Sequence, residues 1–320
     1  MVFSLLCFEL TLNCTSDRFD KLKNKHRPSP HGSYLIDNAL TDKGALVEYH
    51  DYVHKKRIKL IINTAVLFGN DDVRKLWKST GDNVSKLLRK LEKRIDRYFD
   101  SKYTLDDFVL ARADFGVNIN VGDRNTVAEY IRALKNIGRA KGFKLAHDNR
   151  APANSSYFLK GNSNGLEFTV YDLEAAAERK EAKGMLRAEV RLVKHSPIRN
   201  NTRETETSKQ LKRLAADSED IFMDTFIHVV PFGDYYKKAD VVGMIRSYVP
   251  SKKTREKMLR LVELVPVKKS LHLAIKTMND RNIDKVLQVF DTLNMSPVTL
   301  SKRQDVNYLR TLYYYLLGDK

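Results

Sequence analysis

Along the first two thirds of the chain, apolar and polar residues alternate in blocks, and stretches of helical periodicity separate the blocks. Strict alternation marks a strand with one buried face, whereas apolar residues recurring every three to four positions mark a helix with one buried stripe. Residues 2–13, 45–53 and 58–68 read as strands on this basis. Asp82 can cap a helix whose stripe is Val84, Leu87, Leu88, Leu91, Ile95 and Phe99. A second helix after Asp123 buries Val127, Ile131, Leu134 and Ile137, with Gly142 near its end. Both helices are expected to cover one face of a sheet.

Three later strands allow faces to be assigned. Over residues 109–121 every odd position is apolar, while Arg112, Asp114, Gly116, Asn118 and Asn120 point the other way. Over 157–172, Gly161 to Gly165 reads as a hairpin turn, after which Leu166, Phe168 and Val170 share one face and Glu167, Thr169 and Tyr171 the other. Over 186–193 the apolar positions are Leu186, Ala188, Val190 and Leu192, and the polar ones are Arg187, Glu189 and Arg191. One sheet face is therefore dry, and the other gathers Asp114, Glu167, Tyr171, Arg187 and Glu189.

Beyond Lys194 the period becomes helical. Residues 200–207 read as a polar linker, and helices are expected near 208–229, 238–249, 253–264, 268–279 and 282–293, broken at Pro231, Pro250 and Pro266. After a short turn at 294–297, residues 298–317 carry Lys302, Arg303, Gln304, Asn307 and Arg310 in the outline of a helix-turn-helix, with those side chains toward DNA. The expected fold class is α+β: an antiparallel sheet with helices on one face over residues 1–195, followed by an all-helical DNA-binding domain over 205–320.

Charge then narrows the partner. The 320 residues hold 57 Lys and Arg against 40 Asp and Glu, a net charge of +17, which favours polyanions and nucleic acid above all. Residues 194–320 carry +8 and the remainder +9, so both halves can touch DNA. The two cysteines, Cys7 and Cys14, fit neither a disulfide framework nor structural zinc, and a reducing cytoplasm is expected. The apolar start of the chain lacks a basic flank and contains Glu9, which argues against a signal peptide, and no apolar run is long enough for a membrane span. No membrane partner is expected.

On the polar sheet face, carboxylates beside a tyrosine suggest a divalent ion, Mg2+ or Mn2+, held by hard oxygens at Asp114, Glu189 and Glu167 next to a nucleophile. A phenol has a pKa of about 10 and attacks phosphorus at neutral pH only with help from a metal, a base or nearby cations. Arg112 and Arg187 are candidates for the phosphate. Nothing resembles an ATP-binding loop, since no Gly-Lys-Thr or Gly-Lys-Ser follows the Gly161 to Gly165 turn, and the eight histidines contain no His-hydrophobic-His pair.

The order of these motifs resembles the rolling-circle replication initiators of the filamentous-phage and plasmid type, and more distantly the Rep-trans initiators. LARADF at Leu110 to Phe115 is similar to the family's hydrophobic-x-Arg-Ile-Asp strand, FTVYD at Phe168 to Asp172 to its strand bearing the tyrosine, and LRAEVRL at Leu186 to Leu192 to its Leu-Arg-Phe-Glu-x-Arg strand. LSKRQDVNYL at Leu300 to Leu309 is similar to a terminal segment of some members. The resemblance implies site-specific nicking and joining of one strand through a 5′-phosphotyrosyl link, with Tyr171 as nucleophile and Asp114 and Glu189 as acidic positions for the metal. It implies single-stranded or cruciform origin DNA and duplex as partners, with a host helicase and polymerase beside them. Two departures stand out: the lysine usual two residues after the tyrosine is Leu173, its role left to Lys160 or Lys180, and Tyr235 and Tyr236 form a rival nucleophile pair. The alternative function is a DNA-binding copy-control or transcriptional regulator of the same ancestry that does not cut.

Overall fold

The structure, a computed structural model, describes residues 1–147 and 151–318. Its centre is one antiparallel sheet of ten strands: β1 (Ser4–Cys14), β2 (Ser29–His31), β3 (Tyr34–Asp37), β4 (Ala45–Tyr52), β5 (Lys55–Asn63), β6 (Val109–Asn120), β7 (Phe143–Leu145), β8 (Ser156–Gly161), β9 (Leu166–Asp172) and β10 (Met185–Leu192). The spatial order is β2-β3-β4-β5-β1-β6-β10-β9-β8-β7, so the strands that carry the motifs lie side by side at the centre. Leu186, Ala188, Val190 and Leu192 of β10, Phe168 and Val170 of β9, and Ala113 to Ile119 at odd positions of β6 are fully buried on one face, as the alternation requires.

The alternation fails at one end of β6. Val109 is 43% exposed and Leu110 is fully buried, the reverse of the expected phase. The register explains the reversal: Glu9 pairs with Arg112 but the next residue, Leu10, pairs with Leu110, so Ala111 is an extra residue in β6. Such a bulge flips the side chains beyond it to the opposite faces.

Helices Arg124–Ile137, Thr207–Ala216 and Ser218–Val229 pack on the dry face. Asp123 caps the first of these through Thr126 N–H at 2.9 Å. Phe222 and Phe226 of the third meet Phe3 and Phe168, with ring centroids 5.3 and 6.1 Å apart. One buried apolar cluster thus runs from Phe3 to Leu316, across the expected boundary between residues 195 and 205. The segment expected to be a linker begins as helix His195–Thr202, which buries Pro197 and Ile198.

Further on, helices Lys238–Tyr248, Lys252–Lys268, Leu271–Met278 and Ile283–Thr292 follow the expected periodicity. Pro266 does not break the third of the expected helices but lies within Lys252–Lys268, in its last turn. The expected helix-turn-helix does not form among the described residues. After Thr292 the chain runs through turns and bends, with isolated bridges at Met295 and Leu300, to a short strand β12 (Tyr308–Leu309), which pairs with β11 (Tyr235–Tyr236), and only Leu312–Leu317 is helical. The apolar residues of this stretch are consumed as separate anchors: Met295, Val298, Leu300, Leu309 and Leu312 are each at most 4% exposed, a spacing an irregular crossover satisfies and a helix does not.

Gly138 joins the two halves of the chain. It ends helix Arg124–Ile137 at φ 70°, and a Cβ there would overlap the Lys269 carbonyl oxygen and stand 2.7 Å from Ser270 Cα. Ser270 in turn donates to Arg139 O at 2.8 Å. Gly138→Ala is expected to destabilise the protein by about 2–3 kcal/mol, through both the positive φ and the clash, read as a lower midpoint in urea unfolding with an unchanged slope.

Candidate active site on the polar sheet face

The face opposite the core carries a row of charges that crosses the sheet from β4 to β8. His50 and Glu48 of β4 meet at 2.8 Å, Lys59 of β5 reaches Glu48 at 2.9 Å and Glu9 of β1 at 3.5 Å, and Arg112 of β6 reaches Glu9 at 3.5 Å. Arg112 also holds Asp114 with two parallel hydrogen bonds of 2.7 Å. On β10, Arg191 donates to Glu189 at 3.1 Å and lies 3.6 Å from Glu167 of β9, which faces Lys160 of β8 at 3.9 Å. Each carboxylate is thus matched by a cation one strand or one pleat away, as buried charge demands.

At the centre of this row lies a cavity of about 710 Å3 lined by Cys7, Asp114, Tyr171, Arg179, Arg187 and Glu189. The register brings these side chains together: Cys7 pairs with Asp114, Arg191 with Asp114, Arg187 with Tyr171, and Glu189 with both Gly116 and Thr169. Tyr171 donates its phenolic hydrogen to Glu189 Oε1 at 2.5 Å, and Arg191 holds the other oxygen of the same carboxylate. Gly116 is required for this. A Cβ there would stand 2.5 Å from Leu6 Cδ1, 2.9 Å from Ala188 O and 3.2 Å from Glu189 Cγ, so any larger residue would force Leu6 and the β10 backbone to shift and would crowd Glu189.

Electrostatics separates the groups by role. Burial opposes the charge on Arg112, but the hydrogen-bonded Asp114 outweighs it and holds the guanidinium above its ordinary value. Burial, with Asp114 adding to it, pushes the Cys7 thiol far up, so Cys7 is no nucleophile. Asp72, which also lines the cavity, is held at about 2 by its hydrogen bonds from Arg74.

The cavity has a roof that periodicity does not reveal. Residues 70–77 cross the polar face between helices Thr64–Leu67 and Gly81–Phe99 and contribute Asp71, Val73, Lys75 and Trp77 to the lining. Arg187 Nη2 donates to Val73 O at 2.6 Å, Asn118 Nδ2 to Val73 O and Arg74 O at 3.2 and 2.9 Å, and Arg187 Nε to Asn118 Oδ1 at 2.8 Å. Arg187, expected at the phosphate, here fastens this strap.

Of the expected site residues, Tyr171, Asp114, Glu189 and Arg187 line one cavity, and Arg112 stands behind Asp114. Glu167 belongs to the same row but faces Arg191 and Lys160 rather than the cavity. As arranged, these residues do not fit a divalent ion: Asp114 gives both oxygens to Arg112, and Glu189 divides its pair between Tyr171 and Arg191. Among the described residues, no three His, Cys, Asp or Glu side chains stand together as a metal site. Lys160 is tied to Glu167, and the cations at the cavity are Arg179, Arg187 and Lys75. Arg191 was visible in phase with Glu189, but its burial at 3% exposure depends on the strands on either side.

The C-terminal candidates are scattered. Lys302 and Arg303 are exposed, whereas Gln304 is 4% exposed and turned inward, accepting from Ser301 N–H at 2.8 Å and donating to Glu129 O at 3.2 Å. Gln304 is therefore a structural link and not a base-reading side chain. Arg310 lies over the Tyr314 ring, 3.8 Å from its centroid. Tyr235 is fully buried, and burial drives its phenol far above the usual range, which removes it as a nucleophile at the surface; Tyr236 is half-buried against Tyr308, its phenol also raised by burial.

No family model matches the chain, and no curated protein matches it. Among solved structures, it is similar to the rolling circle replication initiator protein from Geobacillus stearothermophilus, at 12% identity and a TM-score of 0.32 over 80% of this chain and 90% of that one. It is also similar to DynU16, a protein of the dynemicin biosynthetic locus, at 9% identity and a TM-score of 0.22 over 69% of this chain and 97% of that one. Both are distant likenesses, and the chemistry of the site rests on its own residues. No helix among the described residues is long and apolar enough to cross a membrane.

Removing Glu189 would leave Arg191 buried with one carboxylate fewer. Glu189→Ala is expected to destabilise the protein by about 3–5 kcal/mol, measured by chemical unfolding, and Glu189→Gln by less: both leave Arg191 with one carboxylate fewer, but the amide keeps the side-chain volume and an oxygen that accepts from Tyr171. Equal losses for the two substitutions would show that the carboxylate charge, rather than the hydrogen bond, holds the face together.

Proposed function

We propose that the chain nicks and rejoins a DNA strand at this cavity, with Tyr171 as nucleophile, in the manner of a rolling-circle replication initiator. The observation that carries the reading is the 2.5 Å hydrogen bond from the Tyr171 hydroxyl to Glu189, at a cavity whose lining includes the cations Arg179, Arg187 and Lys75 beside the carboxylates Asp71, Asp72 and Asp114, on a protein of net charge +17. Glu189 is placed to take the phenolic proton as the oxygen attacks phosphorus. The new bond joins Tyr171 to the phosphate, the bond to the 3′ oxygen breaks, and that oxygen leaves as a hydroxyl with the proton returned to it. Attack by a 3′ hydroxyl reverses the sequence. The surrounding guanidinium and ammonium groups neutralise charge on the phosphate.

A Mg2+ or Mn2+ ion remains part of the proposal only through the resemblance, since Asp114 must first release Arg112 to offer its oxygens. The second reading, a DNA-binding regulator that does not cut, is favoured by the strap over the cavity and by the use of Arg187 to fasten it.

The test is incubation with labelled single-stranded and hairpin oligonucleotides in magnesium or manganese, followed by denaturing electrophoresis. A covalent adduct is expected with the wild-type protein and none with Tyr171→Phe, whose oligonucleotide affinity stays unchanged. Adduct formation that survives in Tyr171→Phe would remove Tyr171 as nucleophile. No adduct from the wild-type protein, with retained binding, would establish the regulator.

A further inference from the structure

A second concavity, remote in sequence from the polar sheet face, has a different chemistry. About 470 Å3 in volume, it is bordered by Phe232, Tyr308, Tyr314, Leu317, Arg310 and Asp234. That volume falls within the range of small-ligand sites, and the lining has their usual character, aromatic and apolar surface with few polar groups. Phe232, Tyr308 and Leu317 are 40, 43 and 45% exposed, among the more exposed large apolar side chains of the described residues, and they converge on one hollow.

The hollow is rigidly built. Asp234 is 5% exposed and its carboxylate accepts from Thr311 N–H at 2.7 Å, Tyr308 Oη at 2.9 Å and Asn294 Nδ2 at 3.0 Å. Its backbone N–H donates to Asn294 O at 3.0 Å, and its carbonyl accepts from Ser296 N–H at 2.8 Å. The Tyr308 ring is thereby fixed from its hydroxyl end and from the pairing of β12 with β11. Phe232 packs at 5.3 Å against Tyr313, whose hydroxyl donates to Val230 O at 2.7 Å. Asp234 is thus a buried strut of the wall, and the cation at the rim is Arg310, stacked on Tyr314.

We infer that this hollow binds one unpaired nucleotide of a DNA strand, its base stacked on the exposed aromatic rings and its phosphate at Arg310. A flat apolar surface beside a guanidinium matches the two parts of a nucleotide, and aromatic stacking with electrostatic attraction to the backbone is how single strands are held without regard to sequence. Because the rings are held before any ligand arrives, little side-chain freedom is lost on binding. The net charge of +17 favours a strand over an uncharged planar ligand. The inference rests on DNA being the partner, as in the proposed function, but not on cleavage at Tyr171.

The test is the affinity of the full chain for a fluorescein-labelled oligothymidine, followed by anisotropy at one fixed salt concentration, with thermal unfolding of every variant as the control for folding. Phe232→Ala and Tyr308→Ala are expected to weaken binding about fivefold to a hundredfold each. Tyr308→Phe keeps the ring but gives up the hydroxyl that fixes it to Asp234, and is expected to lose less affinity than Tyr308→Ala. Unchanged affinity in folded Phe232→Ala and Tyr308→Ala overturns the inference, as does a wild-type protein that does not bind the oligonucleotide. Thymidine monophosphate is run as a competitor: displacement only at large excess supports a strand as the source, whereas displacement at concentrations equal to the oligonucleotide assigns the hollow to free nucleotides and overturns the strand. Adduct formation at Tyr171 is a separate readout, so loss of the nicking reading leaves the affinity result standing, and the reverse.

Discussion

A carboxylate buried inside a sheet must be matched by a cation or a hydrogen-bond donor, and Glu189 has both. Arg191 holds one of its oxygens and the Tyr171 hydroxyl the other, while Gly116 on the neighbouring strand leaves the volume the side chain occupies. The rest of the polar face follows from the same constraint. Arg112 answers Asp114, Lys59 answers Glu9 and Glu48, and Lys160 stands near Glu167, so the charges cross seven strands as alternating signs. Because the opposite face is packed under helices, a shift of any one strand by one residue would bury several of these charges among Phe168, Phe115 and Val190. The charge row and the apolar core therefore fix the same register from opposite sides.

That double constraint explains what could be read from the chain alone. Period-two alternation in residues 109–121, 166–172 and 186–193 assigned Asp114, Glu167, Tyr171, Arg187 and Glu189 to one face, because a buried face leaves its imprint in every second residue. It could not show that β10 lies between β6 and β9, which is what places Glu189 within reach of Tyr171. It also misjudged the phase at Val109 and Leu110, since a bulge depends on the partner strand: the skipped residue is visible only in how Leu10 meets Leu110. The strap over residues 70–77 left no periodic signal because its backbone carbonyls, not its side chains, are what Arg187 and Asn118 grip.

The C-terminal end shows the opposite failure. Polar and basic residues at 302–310 have a spacing that a recognition helix would suit, and nothing local forbids a helix there. Tertiary demands prevail instead: Asp234 needs Thr311 and Tyr308, Gln304 bridges Ser301 and Glu129, and Tyr130 donates to Arg310 O at 2.7 Å. Each contact spends a residue that a helix would have turned to solvent. The segment closes the fold as an irregular crossover, and the side chains it leaves outside include Lys302 and Arg303 as well as Tyr308 and Arg310 at the second hollow.

The strap ties access to the site to the state of the polar face. Arg187 pairs with Tyr171 in register and reaches across to Val73, so a residue beside Tyr171 also fastens the cover. Under the proposed nicking, a strand approaching Tyr171 would bring a phosphate, and a phosphate is a stronger partner for a guanidinium than a backbone carbonyl is. Exchange of Val73 for phosphate would remove one fastening of the strap and turn Arg187 toward the cavity, leaving the hydrogen bonds from Asn118 to Val73 O and Arg74 O in place. Under the proposed reading, the arginine fastening is the one that an approaching anion can take over, whereas the amide fastening from Asn118 has to be lifted against its own hydrogen bonds.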